Sequence, residues 1–188
     1  GFDVVLIETV GVGQSETMVA EMADLFVLLL APAGGDELQG VKRGIMEMAD
    51  LILINKADGD LKSTATRTCA DYAGALRLLR KRAQDPDGFP KALMVSAIEG
   101  NGLRQSWDEI QALVAWRKQN GVWENTRADQ NAFWFNAELR HALLTRLEND
   151  LEASAASAEM QKAICAGQIA PSVAAERVVQ SFLGPNKI

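Results

Sequence analysis

Four short apolar runs, separated by segments with helical periodicity, constrain the fold of this 188-residue chain more than any other feature. The runs are Val4–Ile7, Leu25–Ala31, Leu51–Ile54 and Ala92–Val95. Continuous runs rich in Val, Ile and Leu are typical of strands that are buried on both faces of a sheet. Because strands that alternate with helices form parallel sheets with crossover helices, the sequence predicts an α/β fold with a mostly parallel sheet.

The pattern becomes entirely helical after Val95, where no further strand is predicted. The helices predicted along the chain are Glu16–Met22, Asp36–Met48, Lys62–Gln84, Leu103–Lys118, Asp129–Met160, Met160–Ala166 and Ser172–Phe182. A break from Gly167 to Pro171 precedes the last of these, and Pro171 suits the first turn of a helix. We therefore expect a sheet domain at residues 1–120 and an α-helical extension at residues 121–188.

Composition excludes several classes of function. The net charge of −6, without a basic run that interleaves with aromatic residues, argues against nucleic-acid binding. The two cysteines, Cys69 and Cys165, form no CxxC pair, which fits a reducing compartment. No apolar stretch approaches the roughly 20 residues that cross a bilayer, and no signal-peptide pattern is present. We therefore expect a cytoplasmic protein that has no membrane partner.

The segment Asn55-Lys56-Ala57-Asp58 directly follows the run Leu51–Ile54. Loops at the carboxyl ends of parallel strands face the ligand crevice. The Asp58 carboxylate there can accept hydrogen bonds from N1–H and the exocyclic amine of guanine, a donor pair that adenine lacks. Lys56 would pack its aliphatic stem on the base, and Asn55 would join neighbouring loops. The alternative is a polar turn that ends the strand.

A second small motif, Ser96-Ala97, ends the next predicted strand. Small side chains let backbone N–H groups approach the guanine O6, which larger side chains would block. A Ser-Ala pair after a strand is weak evidence by itself. One strand and one helix after Asn55–Asp58, however, it completes the guanine-binding pair that GTPases carry.

The segment from Glu8 to Glu16 follows the first predicted strand and leads into a helix. A carboxylate at a strand end, three residues before Gly11, is where a nucleotide switch holds Mg²⁺ and senses the γ-phosphate. Gly11 lets a backbone N–H reach that phosphate, and Gln14 is a candidate for orienting the attacking water. The alternative is a glycine-containing turn with Ser15 as the helix N-cap.

The strings ETVGVGQSE and NKADGD, together with the loop AGGDELQGVKRG at residues 33–44, resemble the MeaB/ArgK family of G proteins. The resemblance covers the whole chain. It implies a partial P-loop G domain followed by the helical extension. Usual GTPases carry Asp at the position of Glu8, and this departure is one of the features that point to the family.

The resemblance implies roles for individual residues. Glu8 would serve the Mg²⁺ and γ-phosphate site as a catalytic residue with Gln14. The residues implied in binding GTP or GDP are Gly11, Asn55, Lys56, Asp58, Ser96 and Ala97. The glycine-rich loop at residues 34–44 would be a switch that signals nucleotide state to the partner enzyme through Gln39 and Lys42. Its alternative is a surface helix from Asp36 to Met48.

The resemblance also implies partners. The chain would form a homodimer through its helical extension, where Phe133-Trp134-Phe135 cannot all face one side of a helix. It would act as a GTPase chaperone that gates adenosylcobalamin loading and protects an acyl-CoA mutase such as methylmalonyl-CoA mutase. Two alternatives stay open. One is an accessory ATPase or kinase of a basic amino-acid transport system, and the other is a non-catalytic dimerisation and docking module.

The phosphate-cradling sequence GxxxxGK[ST] does not occur in these 188 residues. The chain also begins within a predicted strand, from which we expect a fragment whose phosphate-binding loop lies upstream. Because the guanine and γ-phosphate sensors would lack that cradle, we predict that this chain alone hydrolyses GTP weakly or not at all.

Overall fold

The computed structural model describes residues 1–9, 15–32, 43–79, 81–82 and 84–184. Three strands form one parallel sheet in the order β1 (Val27–Leu30), β2 (Leu51–Ile54) and β3 (Lys91–Met94). The register pairs Leu30 with Ile54 and Ile54 with Met94, so that the three strands end at the same edge. The predicted α/β class with a parallel sheet is confirmed.

The described helices alternate with the strands and then continue beyond them. Their bounds are α1 (Ser15–Met22), α2 (Arg43–Met48), α3 (Lys62–Leu78), α4 (Leu103–Gln119), α5 (Val122–Asn149), α6 (Leu151–Cys165) and α7 (Pro171–Leu183). A short 3₁₀ turn, Gly59–Leu61, precedes α3. None of these helices combines the length and the hydrophobicity that a membrane-spanning helix needs.

The core lies between one face of the sheet and α3. Successive strand residues point to opposite faces, and Ile52 and Ile54 of β2 point to this one. Helix α3 contributes its buried positions Ala65, Thr68, Tyr72 and Leu76, which recur at helical spacing. Leu51, with 0% of its surface exposed, lies on the opposite face of the sheet. The central strand is therefore covered on both faces, as its LILI sequence predicts.

The prediction of burial on both faces fails for the outer strands. In β1, Val27 and Leu29 are 37% and 60% exposed, whereas Leu28 and Leu30 pack against the core. The predicted strand Val4–Ile7 is wrong for this structure, since the segment forms no strand and Leu6 is 90% exposed. A buried strand needs a hydrogen-bonded neighbour on its edge, and no described strand pairs with this segment.

Three helix predictions differ from the structure at their ends. The helix predicted over Lys62–Gln84 ends at Leu78, because Leu79 adopts an extended conformation with ψ 151°. The helix predicted over Asp129–Met160 divides at Asp150, whose carboxylate accepts a hydrogen bond from Ala153 N at 2.9 Å and caps α6. The separate helix predicted over Met160–Ala166 is the last part of α6.

The chain divides into two compact units, Gly1–Gln130 and Asn131–Ile188. Within the second unit, α6 and α7 pack against each other and bury Ala153 and Ala174. Helix α6 is capped by Gly167, which lies two residues beyond its end at φ +69°. Gln168 N donates to Ala163 O at 2.9 Å, and Gly167 N donates to Ile164 O at 2.9 Å. This pair of bonds is a Schellman cap, which requires a residue with positive φ. Pro171 then begins α7, as predicted.

Candidate functional site

The loops that follow β2 and β3 meet at the carboxyl edge of the sheet. Asn55 N donates to Leu30 O at 2.7 Å, and Ala57 N donates to Val95 O at 3.0 Å. These backbone bonds extend the parallel pairing beyond the last strand residues. The structure therefore brings together the two segments that the sequence singled out, Asn55–Asp58 and Ser96-Ala97.

The Asn55 side chain joins the two loops. Its Oδ1 atom accepts a hydrogen bond from Lys56 N at 2.8 Å and another from Ala97 N at 3.3 Å. Lys56 has φ +58°, in the left-handed region that non-glycine residues adopt only at a cost. The exposed Lys56 thus lies on a constrained backbone, as one expects of a residue that must present its side chain in one direction.

Asp58 is oriented by the buried Ser96. The Ser96 side chain is fully buried, and its Oγ donates a hydrogen bond to Asp58 Oδ2 and accepts one from Glu99 N at 3.0 Å. The Oδ1 atom of Asp58 has no hydrogen-bond partner among the described residues. The half-buried carboxylate is therefore fixed in direction and retains acceptor capacity for a ligand.

Gly102 is a site residue whose role the sequence did not reveal. It precedes α4 with φ +76°, and a Cβ atom there would lie 2.1 Å from Met94 O. The turn that it closes also holds Ser96, because Ser96 N donates to Asn101 O at 2.9 Å. The Gly-Asn-Gly string at residues 100–102 was the available signal, but its second glycine could have been any flexible turn residue.

The remaining predicted site residues are not assembled by the described structure. Glu8 lies exposed in an irregular segment. Gly11, Gln14, Gln39 and Lys42 lie outside the described residues, so their roles stay predictions. Within the described ranges, no group of three or more His, Cys, Asp or Glu side chains is arranged to hold a metal ion.

The amino edge of the sheet carries a buried ionic network that the sequence analysis missed. Asp50, just before β2, accepts hydrogen bonds at Oδ1 from Arg117 Nη2 at 2.6 Å and from Arg82 Nη2 at 2.8 Å. Asp85 Oδ1 accepts from Arg117 Nη2 at 2.6 Å, and Asp85 Oδ2 accepts from Arg82 Nε at 2.6 Å. Arg82 thus contacts both carboxylates of the network.

The network is charge-balanced, although it is buried. Burial lowers the pKa of Arg117, but hydrogen bonds and the charges of Asp50 and Asp85 outweigh it and raise the pKa above its usual value. The Arg117 Nε atom is buried without a hydrogen-bond partner among the described residues. This cluster lies at the opposite edge of the sheet from Asp58, and its arginine and aspartate charges pair with one another. We therefore assign it a structural role.

Comparison with known proteins places the chain in a family. The family model of the methylmalonyl-CoA mutase-associated GTPase MeaB matches residues 1–152. The mouse protein named methylmalonic aciduria type A homolog, mitochondrial, is 41% identical over 182 residues, which are 97% of this chain and 43% of the mouse protein. GTPase ArgK of Escherichia coli K12 is 40% identical over 147 residues, or 78% of this chain and 44% of ArgK.

A solved structure agrees with the sequence relatives. The crystal structure of a LAO/AO transport system kinase matches with a TM-score of 0.68 and 32% identity, covering 95% of this chain and 57% of that chain. The chain thus spans about half the length of the curated relatives that it matches. Because the family model covers residues 1–152 of 188, this chain belongs to the MeaB family of methylmalonyl-CoA mutase-associated GTPases.

Proposed function

We propose that this chain supplies the guanine-reading and γ-phosphate-sensing part of a GTPase that gates adenosylcobalamin loading and protects an acyl-CoA mutase such as methylmalonyl-CoA mutase. The observation that carries the nucleotide assignment is the Asp58 carboxylate, which Ser96 orients and which keeps an acceptor oxygen for a ligand. The printed family description, a mutase-associated GTPase, supports the partner.

Asp58 would select the base. A carboxylate can accept from both N1–H and the exocyclic amine of guanine, and a base without that pair leaves it unsatisfied. Lys56 would cover the base plane with its stem, and Asn55 would hold the two loops in register through its bonds to Lys56 N and Ala97 N. Ser96 and Ala97 would complete the pocket around the guanine O6.

Glu8 fits a magnesium ion of the kind that nucleotide switches use. Mg²⁺ is held in such sites by one or two carboxylates together with phosphate oxygens and water, so that a dedicated cluster of protein ligands is not required. Glu8 is an exposed carboxylate with room for such a ligand sphere. When bound, Mg²⁺ would neutralise charge on the β- and γ-phosphates.

The proposed reaction is hydrolysis of GTP to GDP and phosphate by in-line attack of water. Positioning and charge stabilisation would supply most of the catalysis. Gly11 would donate its N–H to the γ-phosphate and Gln14 would orient the water, while Gln39 and Lys42 would report nucleotide state to the mutase. Because these 188 residues contain no GxxxxGK[ST] sequence, the chain by itself should hydrolyse GTP weakly or not at all.

We also propose a homodimer formed by the helical extension. On α5, Phe133 and Phe135 are 45% and 65% exposed, and Phe133 packs edge-to-face on Trp134 with ring centroids 5.6 Å apart. Large exposed aromatic side chains are typical of residues that a partner covers. The cytoplasmic location and the absence of nucleic-acid and membrane partners stay predictions, and the mitochondrial name of the mouse relative makes that compartment the alternative.

The substitution Asp58→Asn tests the nucleotide assignment. Guanine presents N1–H beside an amine, whereas xanthine presents N1–H beside a carbonyl oxygen. An amide side chain can accept a hydrogen bond from the N1–H of xanthine and donate one to that carbonyl oxygen. In the native gene product that includes this sequence, we expect Asp58→Asn to weaken GTP binding at least tenfold and to strengthen XTP binding. Asp60→Asn, at an exposed carboxylate two residues away, is the matched control. Unchanged base preference in Asp58→Asn would exclude this role for Asp58.

Turnover in the presence of the mutase tests the chaperone proposal. We expect slow GTP hydrolysis by the native gene product that rises when a methylmalonyl-CoA-type mutase is added. A GTP hydrolysis rate that does not change when the mutase is added would support the GTPase assignment but exclude this partner. The mutase should also lose activity more slowly in the presence of the chaperone and GTP.

The solved-structure match favours one alternative, an accessory kinase or ATPase of a basic amino-acid transport system. Asp58 argues for guanine, so a preference for ATP over GTP would favour that alternative. A non-catalytic docking module is the remaining possibility. It predicts a native gene product that binds the mutase but hydrolyses neither nucleotide.

A further inference from the structure

The turn between α1 and β1, residues 23–26, is held by side chains from three other parts of the first unit. Gln130 Nε2 donates to Ala23 O at 2.9 Å. Arg117 Nη1 donates to Asp24 O at 3.1 Å, and Phe26 N donates to Asp50 Oδ2 at 2.8 Å. Here we call residues 23–26 the α1–β1 corner. Its polar groups are taken up by α4, by α5 and by the residue that precedes β2.

The Asp24 carboxylate adds a two-point contact to α5. Arg127 Nε donates to Asp24 Oδ1 at 2.7 Å, and Arg127 Nη2 donates to Asp24 Oδ2 at 2.8 Å. A bidentate guanidinium–carboxylate pair fixes direction as well as distance. The hydrogen bonding of Arg127 to the Asp24 carboxylate is the largest of the effects that raise the pKa of Arg127 above its usual value.

Trp123 stiffens the beginning of α5 around this pair. The Arg127 guanidinium lies 4.8 Å from the Trp123 ring centroid, and Lys118 Nζ lies 4.9 Å from it. Cation–π contacts of this length stabilise an arrangement modestly at exposed sites. The last turn of α4, the first turns of α5 and the α1–β1 corner are therefore joined by contacts on several sides.

The α1–β1 corner connects α1, which follows the proposed γ-phosphate-sensing segment, with the beginning of α5. Helix α1 begins at Ser15, seven positions after Glu8, and ends at Met22, immediately before the corner. Helix α5 begins at Val122 and continues to Asn149. In GTPase switches, the segment that senses the γ-phosphate is ordered by GTP and released after hydrolysis. A displacement of α1 would therefore act on α5 through the corner.

We propose that the α1–β1 corner couples nucleotide state to α5, with Asp24 and Arg127 as positioning residues. The inference rests on the proposed GTPase function. Neither side chain has a hydrogen bond or ion pair with the Asp58 loop among the described residues, so their substitution should leave nucleotide affinity and basal hydrolysis unchanged. The Asp24–Arg127 pair is partly solvated, with 32% and 55% of the two side chains exposed, so we expect a several-fold effect on coupling rather than its abolition.

The test compares Asp24→Asn, Arg127→Gln and the double variant in the native gene product. Hydrogen exchange of the amides at residues 122–130 is measured with GDP and with a non-hydrolysable GTP analogue. We expect the native protein to show different protection in the two states. Each single variant should reduce that difference about threefold to fivefold, and the double variant should reduce it no further, because both changes remove the same contact.

Arg104→Gln is the matched control, since it breaks the exposed Arg104–Asp108 pair on α4 at 2.9 Å without touching the corner. It should leave the nucleotide-dependent difference intact. Equal exchange of residues 122–130 in the two nucleotide states of the native protein would overturn the inference. So would a full difference in both single variants. Failure of the native protein to bind GTP would instead refute the proposed function and, with it, this coupling.

Discussion

The two edges of the sheet both carry aspartate carboxylates, but they satisfy them in different ways. At the amino edge, the Asp50 and Asp85 carboxylates are buried and share Arg82 and Arg117 as donors. At the carboxyl edge, Asp58 is half-buried, and its carboxylate receives its one hydrogen bond among the described residues from an uncharged hydroxyl. One edge satisfies its charges internally, whereas the other retains an acceptor that no described residue pairs with.

The difference gives a physical criterion for separating a structural carboxylate from one that is free to bind a ligand. A buried charge is tolerated only when it is paired and hydrogen-bonded, so a fully paired cluster has little left with which to hold a ligand. A carboxylate that one neutral donor orients has a defined direction and spare acceptor capacity. The burial of a carboxylate and the number of hydrogen bonds that it already accepts thus indicate better than residue type whether it can bind a ligand.

The largest effect is expected when the amino-edge network is broken. Arg117→Met removes one of the two donors that Asp50 and Asp85 share and leaves them with Arg82. We expect a loss of about 3 kcal/mol in the free energy of unfolding, because a buried charge loses its partner. Urea unfolding measures this loss. Arg104→Met, at the exposed ion pair of α4, should change stability by less than about 1 kcal/mol.

A smaller loss is expected at the carboxyl edge from Gly102→Ala. The added Cβ would lie 2.1 Å from Met94 O at a backbone φ of +76°, so the turn after Ser96 must shift. We expect a loss of about 2 kcal/mol, measured by urea unfolding, together with weaker guanine-nucleotide binding. Gly74→Ala, within α3 and with open space around the added atom, should instead stabilise by about 0.5–1 kcal/mol. Equal effects of the two substitutions would contradict the steric argument.

Ser96→Ala separates binding from stability at the same edge. The change removes the hydroxyl that donates to Asp58 but keeps a small, buried side chain. We expect guanine-nucleotide affinity to fall about fivefold to tenfold, since a hydrogen bond to a charged group contributes about 1.5–3 kcal/mol and water can replace part of it. Titration with a fluorescent GDP measures the affinity. A change in unfolding free energy as large as that of Arg117→Met would mean that Ser96 is structural.

The sequence predicted the carboxyl edge better than the amino edge for a physical reason. Asn55, Asp58 and Ser96 lie in the loops that follow β2 and β3, and parallel strands in register carry such loops to one edge of the sheet. The position of these residues after the predicted strands was therefore sufficient to predict that their loops meet. Asp50 and Arg117 are 67 residues apart, and nothing in the local pattern at either position indicates that they will meet.

The contrast between local sequence signals and contacts with other parts of the chain also explains the errors in the predicted strands and helices. The central strand β2 was predicted with its correct bounds, because its burial follows from neighbours on both sides. Val4–Ile7 has an equally apolar sequence but pairs with no described strand, so periodicity could not reveal its exposure. The division of the long helix at Asp150 depends on one side-chain cap, a signal that the surrounding apolar pattern obscured.

The smallest expected effect comes from the loop that adjoins the amino-edge network. Asp87 is two residues from the buried Asp85, but it is exposed and pairs with Lys81. The hydrogen bond and charge of Lys81 hold the pKa of Asp87 below its ordinary value of 3.8. A depressed folded pKa contributes stability above the unfolded pKa, and that contribution is lost as pH falls through the folded value. Asp87→Asn should therefore lower the melting temperature slightly at pH 7 and leave it equal to the parent's in acid below that folded pKa.

Asp85→Asn should lower the melting temperature far more at pH 7, because Arg117 and Arg82 would lose a buried charge partner. Thermal melts of the two variants across this pH range measure the difference, and equal effects at pH 7 would mean that burial does not separate the two carboxylates.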